Sequence, residues 1–532
     1  MKKTYRFIAV TLLMAGALLT TACSNDDAAI NNPEGQSAAR SFLFTATLAP
    51  KGDDGGQTRN ISVTDQGTAD ETLTTAWADG EQIAVYYEKN DGSHATAIAT
   101  VGAPNSDGTA SITATLEDAV DGTTVYFVYP ASLHNGEGGI DDAKLGMNQH
   151  GTIADISTNF DGATGDATLV TDGTSFSTTV STIKLENQLL IGKFIPKVGN
   201  TSISGIKRLR FLYGDRLYTV TPSGAETFGT DGIYLALMPV DKEDVTINVV
   251  TADKVYRLTK KVTLEKGKFY RNLGLSMTES SKTIKLSDLG AGKKILAEDG
   301  ETLSGTNTSL RVFIAPGATV TLQGTYIGNS GSPGIECKGD ATIILSGSQN
   351  TLTGDGKPGL QAGPAGTTLT IQGTGKLKAT GNGGCSGIGS GSEGTCGNIT
   401  ISGGTVTATG GSWSAGIGGG YFGTCGNISI GDGTITAQCG QSSFSNAVIG
   451  SGDDGTCGDI TITINNSITS ITLKKFGNNQ YFICGPDVHR GKVYIYGSEC
   501  YNDVVLKNGT TSTPFRNCSL ENEGKTWILK KP

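Results

Sequence analysis

A repeat in the second half of the chain constrains its fold more than any other feature. Three segments begin with Gly-Thr-Cys, at Cys396, Cys425 and Cys457, and each continues with a glycine, a polar residue and an Ile-Thr-Ile or Ile-Ser-Ile run. The three cysteines are separated by 29 and 32 residues. Steps of this length, with two or three short strands and glycine corners, indicate a parallel β-helix whose coils rise by ~4.8 Å. A propeller blade needs about 40 to 45 residues, so a propeller is the weaker alternative.

The repeat predicts which side chains fill the interior of the coils. Alternate residues of a strand point to opposite faces, so one apolar set should face inward and stack on its counterpart in the next coil, while the threonines between them face out. Residues 284–472 are assigned to the coils, and residues 473–532, richer in Tyr, Phe and charge, to a cap on the open end. The predicted stacks are Ile399 on Ile428, Ile401 on Ile430, Val406 on Ile435 and Ala408 on Ala437.

The three repeat cysteines occupy one position of the coil. A metal-binding or redox role is one interpretation, but the sequence contains no Cys-x-x-Cys motif. A cysteine thiol also behaves as a small apolar side chain in a protein interior. We therefore predict that Cys396, Cys425 and Cys457 form an inward-facing structural row without a metal.

The first half of the chain is also typical of β-structure. Glycine accounts for 77 of the 532 residues and charged residues for 17%, and short Thr/Val/Ile runs alternate with Gly, Asn and Asp turns. Phe42, Phe44, Ala46 and Leu48 alternate with other residues at period two. The chain is therefore predicted to be all-β. Residues 41–277 are predicted to form one or two antiparallel β-sandwiches, and residues 278–283 a linker.

The N-terminal residues indicate export. Lys2, Lys3 and Arg6 precede an apolar stretch, residues 7–19, that is too short to span a bilayer, and small residues then lead to Cys23. This order is similar to a bacterial lipoprotein signal peptide, which implies removal of residues 1–22 and a lipid anchor on Cys23. The alternative is an ordinary signal peptide. Residues 23–40 form a polar tether whose acidic start resembles a surface-export signal, so we expect an outer-membrane lipoprotein exposed on the cell surface.

Four motifs of the first half resemble the fimbrillin family of fimbrial subunits and accessory lipoproteins. They are the Trp-Ala-Asp-Gly-Glu-Gln-Ile element from Trp77, two strands that end at Pro130 and Pro239, and the Leu-Glu-Lys-Gly-Lys-Phe-Tyr strand from Leu264. The resemblance covers residues 41–277 and implies cell adhesion, or assembly with fimbrial subunits by strand exchange. It also makes Arg40 and Arg59 candidates for a processing site. Physically these motifs are scaffold features, and Trp77 is predicted to plug the core.

The repeat units resemble the β-helical carbohydrate-binding domains of secreted bacterial proteins over residues 300–470. This resemblance implies a polysaccharide or a host or bacterial surface glycan as partner, with calcium as the one cofactor to consider. It leaves a polysaccharide lyase as an outside alternative. Lyase chemistry on uronates needs an Arg or Lys base beside calcium-binding carboxylates. No arginine lies between Arg311 and Arg490, and no lysine between Lys378 and Lys474, so we predict no catalytic residues.

The residues just before each Gly-Thr-Cys differ between coils, and variable loops on a constant scaffold indicate a binding face. The candidate ligand-binding residues are Trp413, Tyr421, Phe422, Asp453 and Asp454. Aromatic rings at such corners can stack on sugars, but a corner ring packed over a glycine is an equally good interpretation. For the acid pair, a solvated turn is favoured over a ligand site.

The net charge of the chain disfavours one class of binding partner. The net charge is −9 and the sequence has no basic stripe, so nucleic acid is not expected to bind. The sequence favours a non-catalytic adhesin or glycan-binding lipoprotein that touches the membrane only through its lipid. A structural accessory or tip subunit of fimbriae is the second hypothesis.

Overall fold

The computed structural model describes residues 40–50, 76–146, 149–441, 446–464, 468–474, 481–483, 493–497, 518–521 and 526–530. Strands dominate this part of the chain, and the prediction of an all-β protein is confirmed. Helices are limited there to α1 (Asp142–Leu145), α2 (Ile153–Asn159) and 3-10 turns at Ala131–Leu133 and Leu286–Asp288. None of the described helices has the length and hydropathy to span a membrane. The predicted signal peptide, Cys23 and Arg59 lie outside the described residues.

A first β-unit contains β1 (Ser41–Leu48), β2 (Gln82–Glu88), β3 (His94–Val101), β4 (Ala110–Glu117), β5 (Thr124–Tyr129), β6 (Ala163–Thr171), β7 (Ser175–Thr178) and β8 (Glu186–Asn187). The strands form one sheet in the order β5-β2-β3-β4-β1-β7-β6-β8, and a further pairing of β5 with β6 closes it into a ring. Only β1 and β7 of the described pairs run parallel. This pair differs from the predicted antiparallel arrangement. The sequence could not predict it, because side-chain alternation sets the buried face of a strand but not the direction of its neighbour.

Trp77 plugs the core of the first unit, as predicted. Its side chain is buried, and its indole Nε1 donates to the carbonyl of Ala49 at 2.9 Å. Its ring meets the ring of Tyr129 edge-on, with centroids 5.2 Å apart. Pro130 follows Tyr129 directly and ends β5, as expected for a residue without an amide donor.

A second β-unit contains β9 (Leu190–Val198), β10 (Thr201–Ser202), β11 (Arg208–Tyr213), β12 (Arg216–Val220), β13 (Ile233–Leu237), β14 (Val240–Val250), β15 (Val255–Leu264), β16 (Phe269–Ser276) and β17 (Thr278–Glu279). Its two sheets, β10-β9-β13 with β16 on β9, and β12-β11-β14-β15-β17, enclose one apolar core. That core is separate from the core of the first unit. β16 runs parallel to β9. The predicted linker contributes β17, which pairs with β15.

The coil unit begins with β18 (Thr283–Lys285), β19 (Lys294–Ala297), β20 (Thr302–Asn307), β21 (Arg311–Ile314), β22 (Ala318–Ser330), β23 (Ile335–Cys337), β24 (Ala341–Ser346), β25 (Asn350–Asp355), β26 (Leu360–Gln361), β27 (Thr368–Gly373), β28 (Lys376–Thr380), β29 (Ile388–Gly389), β30 (Thr395–Cys396) and β31 (Asn398–Thr409). It continues with β32 (Ile417–Gly418), β33 (Thr424–Cys425), β34 (Ile428–Gln438), β35 (Ala447–Gly450), β36 (Thr456–Cys457), β37 (Ile460–Ile464), β38 (Ile468–Lys474), β39 (Tyr481–Ile483), β40 (Val493–Gly497), β41 (Cys518–Glu521) and β42 (Thr526–Lys530).

Successive coils pair in parallel and in register. β31 pairs with β34 so that the four predicted stacks are present, from Ile399 on Ile428 to Ala408 on Ala437. All eight residues are fully buried. Each coil alone buries little apolar surface, so the interior is completed only by the neighbouring coils.

The cysteine row is also present. Cys396 pairs with Cys425, and Cys425 with Cys457, on the short strands β30, β33 and β36. All three side chains are buried, and no disulfide links them. The neighbouring thiols and burial hold the pKa of Cys425 well above its usual range. A thiol with a raised pKa is a weak nucleophile at neutral pH.

The parallel coils extend beyond residue 472. β39 pairs in parallel with β35, and β40 with β37, although both lie in the segment predicted as a cap. β42 then pairs antiparallel with β38 and with β41. Antiparallel strands therefore follow the last parallel ones at this end.

The second unit covers the other end of the coils. Side chains of β14 donate to carbonyl groups of β19, the terminal strand of its sheet: Thr246 to Lys294 at 3.3 Å and Asn248 to Leu296 at 2.9 Å. The guanidinium of Arg210 pairs with the carboxylate of Glu298, and both side chains are buried. A second ion pair joins Arg257 to Glu301, and Leu212 belongs to the apolar core of the coils.

Candidate ligand-binding surface

The corners before each Gly-Thr-Cys stack on one another. Glu393, Phe422 and Asp454 occupy equivalent turn positions, and each has a positive φ, of 55°, 51° and 52°. The amide of Glu393 donates to the carbonyl of Tyr421 at 2.7 Å, and the amide of Phe422 to the carbonyl of Asp453 at 2.9 Å. The backbone of this face is therefore constant from coil to coil while its side chains vary.

The structure brings the three predicted aromatic residues together on one coil. The ring centroids of Trp413 and Tyr421 are 5.5 Å apart, and those of Tyr421 and Phe422 are 4.3 Å apart. Trp413 is 41% exposed and Phe422 48% exposed, whereas Tyr421 is half-buried between them. We call Trp413, Tyr421 and Phe422 the aromatic cluster.

Two corners of the coil hold the aromatic cluster in place. Trp413 has a φ of +61°, and Gly384 takes the equivalent position one coil earlier. The carbonyl of Trp413 accepts from the amide of Asp453, and the carbonyl of Gly384 from the amide of Tyr421, each at 2.8 Å. A Cβ on Gly384 would lie 3.4 Å from the Cβ of Tyr421. The interpretation of a ring packed over a glycine thus applies to Tyr421, while Trp413 and Phe422 are exposed to solvent.

The two acidic candidates differ in exposure. Asp453 is buried, with 6% of its surface exposed, and Asp454 is exposed. Only Asp454 therefore presents its side chain to solvent beside Phe422. Calcium takes six to eight oxygen ligands. Within the described residues no group of three or more His, Cys, Asp or Glu side chains is arranged to hold a metal ion.

A groove next to the aromatic cluster was not predicted from the sequence. It has a volume of about 490 Å³ and crosses four successive coils. Ser412 lines it, and Trp413 is the next residue in the chain. The feature of the sequence that marks this groove is a Thr-Gly pair that recurs at the end of a strand in successive coils. The lining residues are Thr353, Gly354, Asp355, Thr380, Gly381, Asn382, Thr409, Gly410, Gly411, Ser412 and Gln441.

Glycines let the coils approach closely along the groove. A Cβ on Gly411 would lie 2.7 Å from the backbone of Asn382, and a Cβ on Gly440 would lie 1.4 Å from the carbonyl oxygen of Gly411. Neither distance is compatible with a side chain. The coils therefore approach each other through backbone atoms at these positions.

Comparisons with known proteins agree with a repetitive β-fold. A family model for a beta helix repeat matches residues 369–392 and 399–421. No curated protein matches the chain.

Several solved structures match a little under half of the chain, with low TM-scores. A fimbrial protein from Bacteroides ovatus is 12% identical, with a TM-score of 0.24, and the match covers 45% of this chain and 50% of that protein. A candidate cell adhesion protein from Bacteroides fragilis is 8% identical, with a TM-score of 0.25 and coverages of 45% and 97%. Another from Bacteroides uniformis is 12% identical, with a TM-score of 0.24 and coverages of 46% and 97%. Similarities this low do not assign a function to this chain.

Proposed function

We propose that this protein is a non-catalytic adhesin of the cell surface that binds a glycan through the aromatic cluster. The observation that carries the proposal is the exposure of Trp413 and Phe422 in left-handed turns. Bulky residues rarely adopt a positive φ, and such strain persists only where the surrounding structure imposes it, often at functional sites. The preceding coil has Gly384 at the position of Trp413, so the fold itself does not require an aromatic residue there.

The aromatic cluster suits a sugar better than a deep-pocket ligand. Three rings on one coil form a surface, on which the C–H face of a pyranose ring can stack. Aromatic contacts contribute about 0.5–1.5 kcal/mol each beyond burial, so a single site of this kind binds weakly. Many copies on one cell would raise the overall affinity by multivalency.

The absence of a suitable base favours binding over cleavage. A lyase would need a basic side chain within reach of the sugar ring. The sequence has neither arginine nor lysine between residues 379 and 473, the part that carries the aromatic cluster.

The proposed location follows from the N-terminal sequence. Cleavage before Cys23 and acylation of its thiol would anchor the chain in the outer membrane, and the acidic residues after it favour display on the outside. A surface location is where a multivalent adhesin can meet its ligand.

The test compares glycan binding by the mature wild-type chain and by the variant Trp413→Ala/Tyr421→Ala/Phe422→Ala. A glycan array identifies ligands, and calorimetry then measures their affinity. We expect the variant to lose detectable binding, while the control Tyr126→Ala, which removes a ring that is 42% exposed on the first unit, binds like the wild type.

Two results would contradict the proposal. Equal binding by the triple variant would remove the aromatic cluster from the site. Steady formation of unsaturated product from a uronate polymer, followed by its ultraviolet absorbance, would show that the protein is a lyase.

A further inference from the structure

The shape and lining of the groove beside the aromatic cluster indicate which class of ligand fits it. We propose that the groove binds a linear, uncharged glycan whose chain runs across the coils, with successive sugars contacting successive coils. The inference rests on the proposed function and extends it by naming the class of ligand and a second set of contacts.

The spacing of the groove favours a linear polymer. Thr353 pairs with Thr380, and Thr380 with Thr409, so the three threonines form a ladder with one step per coil. Adjacent coils are separated by ~4.8 Å, the distance between hydrogen-bonded strands. This is close to the length of one sugar residue in an extended glycan. A chain that crosses the coils would therefore present a similar group to each step.

The polar groups of the groove match sugar hydroxyls. Within the described part of the chain, the hydroxyls of Thr353, Thr380, Thr409 and Ser412 have no protein hydrogen-bond partner, so they are available to a ligand. A hydroxyl can both donate and accept, as can the hydroxyls of a glycan. The side chain of Asn382 also lines the groove; its Nδ2 donates to the carboxylate of Asp355 at 3.2 Å, and its Oδ1 accepts from the amide of Gly383 at 2.8 Å.

The charge of the groove favours an uncharged ligand. Asp355 is the only ionisable residue among the described residues that line it. An acidic polysaccharide would bring further negative charge close to this carboxylate, and like charges repel. Uronate chains are therefore disfavoured unless a cation bridges them.

Exposed rings lie near both ends of the ladder. The aromatic cluster adjoins the groove through Ser412. One coil before Thr353, Gly328 occupies the next step of the ladder, and a Cβ there would lie 3.7 Å from the hydroxyl of Tyr326. Tyr326 is 41% exposed. A glycan that follows the ladder would thus find a ring to stack on at either end.

The experiment replaces the ladder with an isosteric one. Thr353→Val/Thr380→Val/Thr409→Val removes three hydroxyls and keeps β-branched side chains that suit strands. The matched control is Thr342→Val/Thr370→Val/Thr400→Val, an equally regular ladder on the same three coils, half-buried like the first. Calorimetry of the mature chain uses cellohexaose, mannohexaose and xylohexaose, the matching disaccharides, and hexagalacturonate with and without calcium.

We expect the wild type to bind at least one neutral hexasaccharide, and to bind it more tightly than the disaccharide. The groove ladder variant should bind at least about tenfold more weakly, since each hydrogen bond contributes modestly and three are removed. The control ladder variant should bind like the wild type.

Four results would overturn the inference. If the groove variant binds like the wild type while the aromatic variant does not, the groove is not used and the proposed function stands. If both bind like the wild type, the site lies elsewhere and both proposals are wrong. If hexagalacturonate binds in the presence of calcium and none of the neutral glycans binds, the ligand is acidic. Failure of the wild type to bind any of these glycans, together with an empty glycan array, would remove both proposals.

Discussion

The buried ion pair between the second unit and the coils gives a demanding test of the fold. The side chains of Arg210 and Glu298 are 3% and 2% exposed. Arg210 also reaches the carbonyl of Pro316 at 3.2 Å, and Asn248 donates to the carboxylate of Glu298 at 2.8 Å. The substitution Arg210→Met keeps an unbranched apolar side chain but leaves Glu298 as a buried charge without its counter-ion.

The size of the effect follows from these contacts. Removing one partner of a buried ion pair costs about 3–5 kcal/mol, because the other charge stays desolvated. Asn248 would still donate to Glu298, so we expect Arg210→Met to lower the free energy of unfolding by about 3 kcal/mol at neutral pH, the lower end of that range. The double variant Arg210→Met/Glu298→Gln should lose much less unfolding free energy than Arg210→Met, since no charge remains buried.

The pH dependence separates this cause from lost packing. Burial raises the pKa of Glu298, and Arg210 opposes that rise. Without Arg210 the pKa in the folded state should rise further above that of the unfolded chain. The variant would then keep its stability below the unfolded pKa of about 4.3 and lose it as the pH rises toward neutrality.

Urea unfolding of the full chain, followed by circular dichroism in mildly acidic and in neutral buffer, measures these differences. The control is Arg216→Met, because the pair of Arg216 with Asp142 is 45% and 37% exposed and should contribute only about 0–1 kcal/mol. A buried, unpaired Glu298 would be contradicted if Arg210→Met destabilised the protein no more than the control does. It would also be contradicted if the loss of unfolding free energy did not change with pH, or if the loss in the double variant equalled the sum of the losses in the two single variants.

The remaining predictions concern the coils, the anchor and the units. Cys425→Ala should lower the stability by about 1 kcal/mol and leave glycan binding intact; stoichiometric metal that disappears on this substitution would contradict a structural row. Phe422→Gly should be more stable than Phe422→Ala by about 1 kcal/mol in thermal melts, because glycine tolerates the positive φ; equal stabilities would mean that the turn is unstrained. Cys23→Ser should release the protein from membranes, and protease added to intact cells should degrade the wild type; protection would place the protein inside the outer membrane. Residues 41–277 and 284–532, expressed separately, should each show a cooperative β-type melt. Their melting temperatures should be lower than that of the full chain, because the cut exposes Leu212 and the ion pair. Loss of cooperative structure in both pieces would contradict the division into units.

The interior of the coils could be predicted because parallel, in-register stacking preserves the position of a residue from coil to coil. Spacings of 29 and 32 residues between cysteines were sufficient to place Cys396 on Cys425 and Ile399 on Ile428. The predicted corner residues Trp413, Tyr421 and Phe422 also came together, since they belong to two corners of one coil.

The groove and the junction could not be predicted in the same way. Thr-Gly pairs mark Thr353, Thr380 and Thr409 in the sequence, but only the assembled coils show that these strand ends line a groove. In the junction, Arg210 and Asn248 lie on the face of their sheet that alternation alone would assign to solvent. Only the tertiary arrangement shows that the first coil covers this face.

The constancy of the coil outline has a consequence for how such a chain can evolve. The steps between equivalent threonines and cysteines vary from 27 to 32 residues while the strand register is kept, so the differences are absorbed at corners. Duplication or loss of one unit within the gene would therefore lengthen or shorten the ladder by a single step and leave both ends unchanged. The length of the groove would then change by recombination between repeats, without new point mutations in its wall.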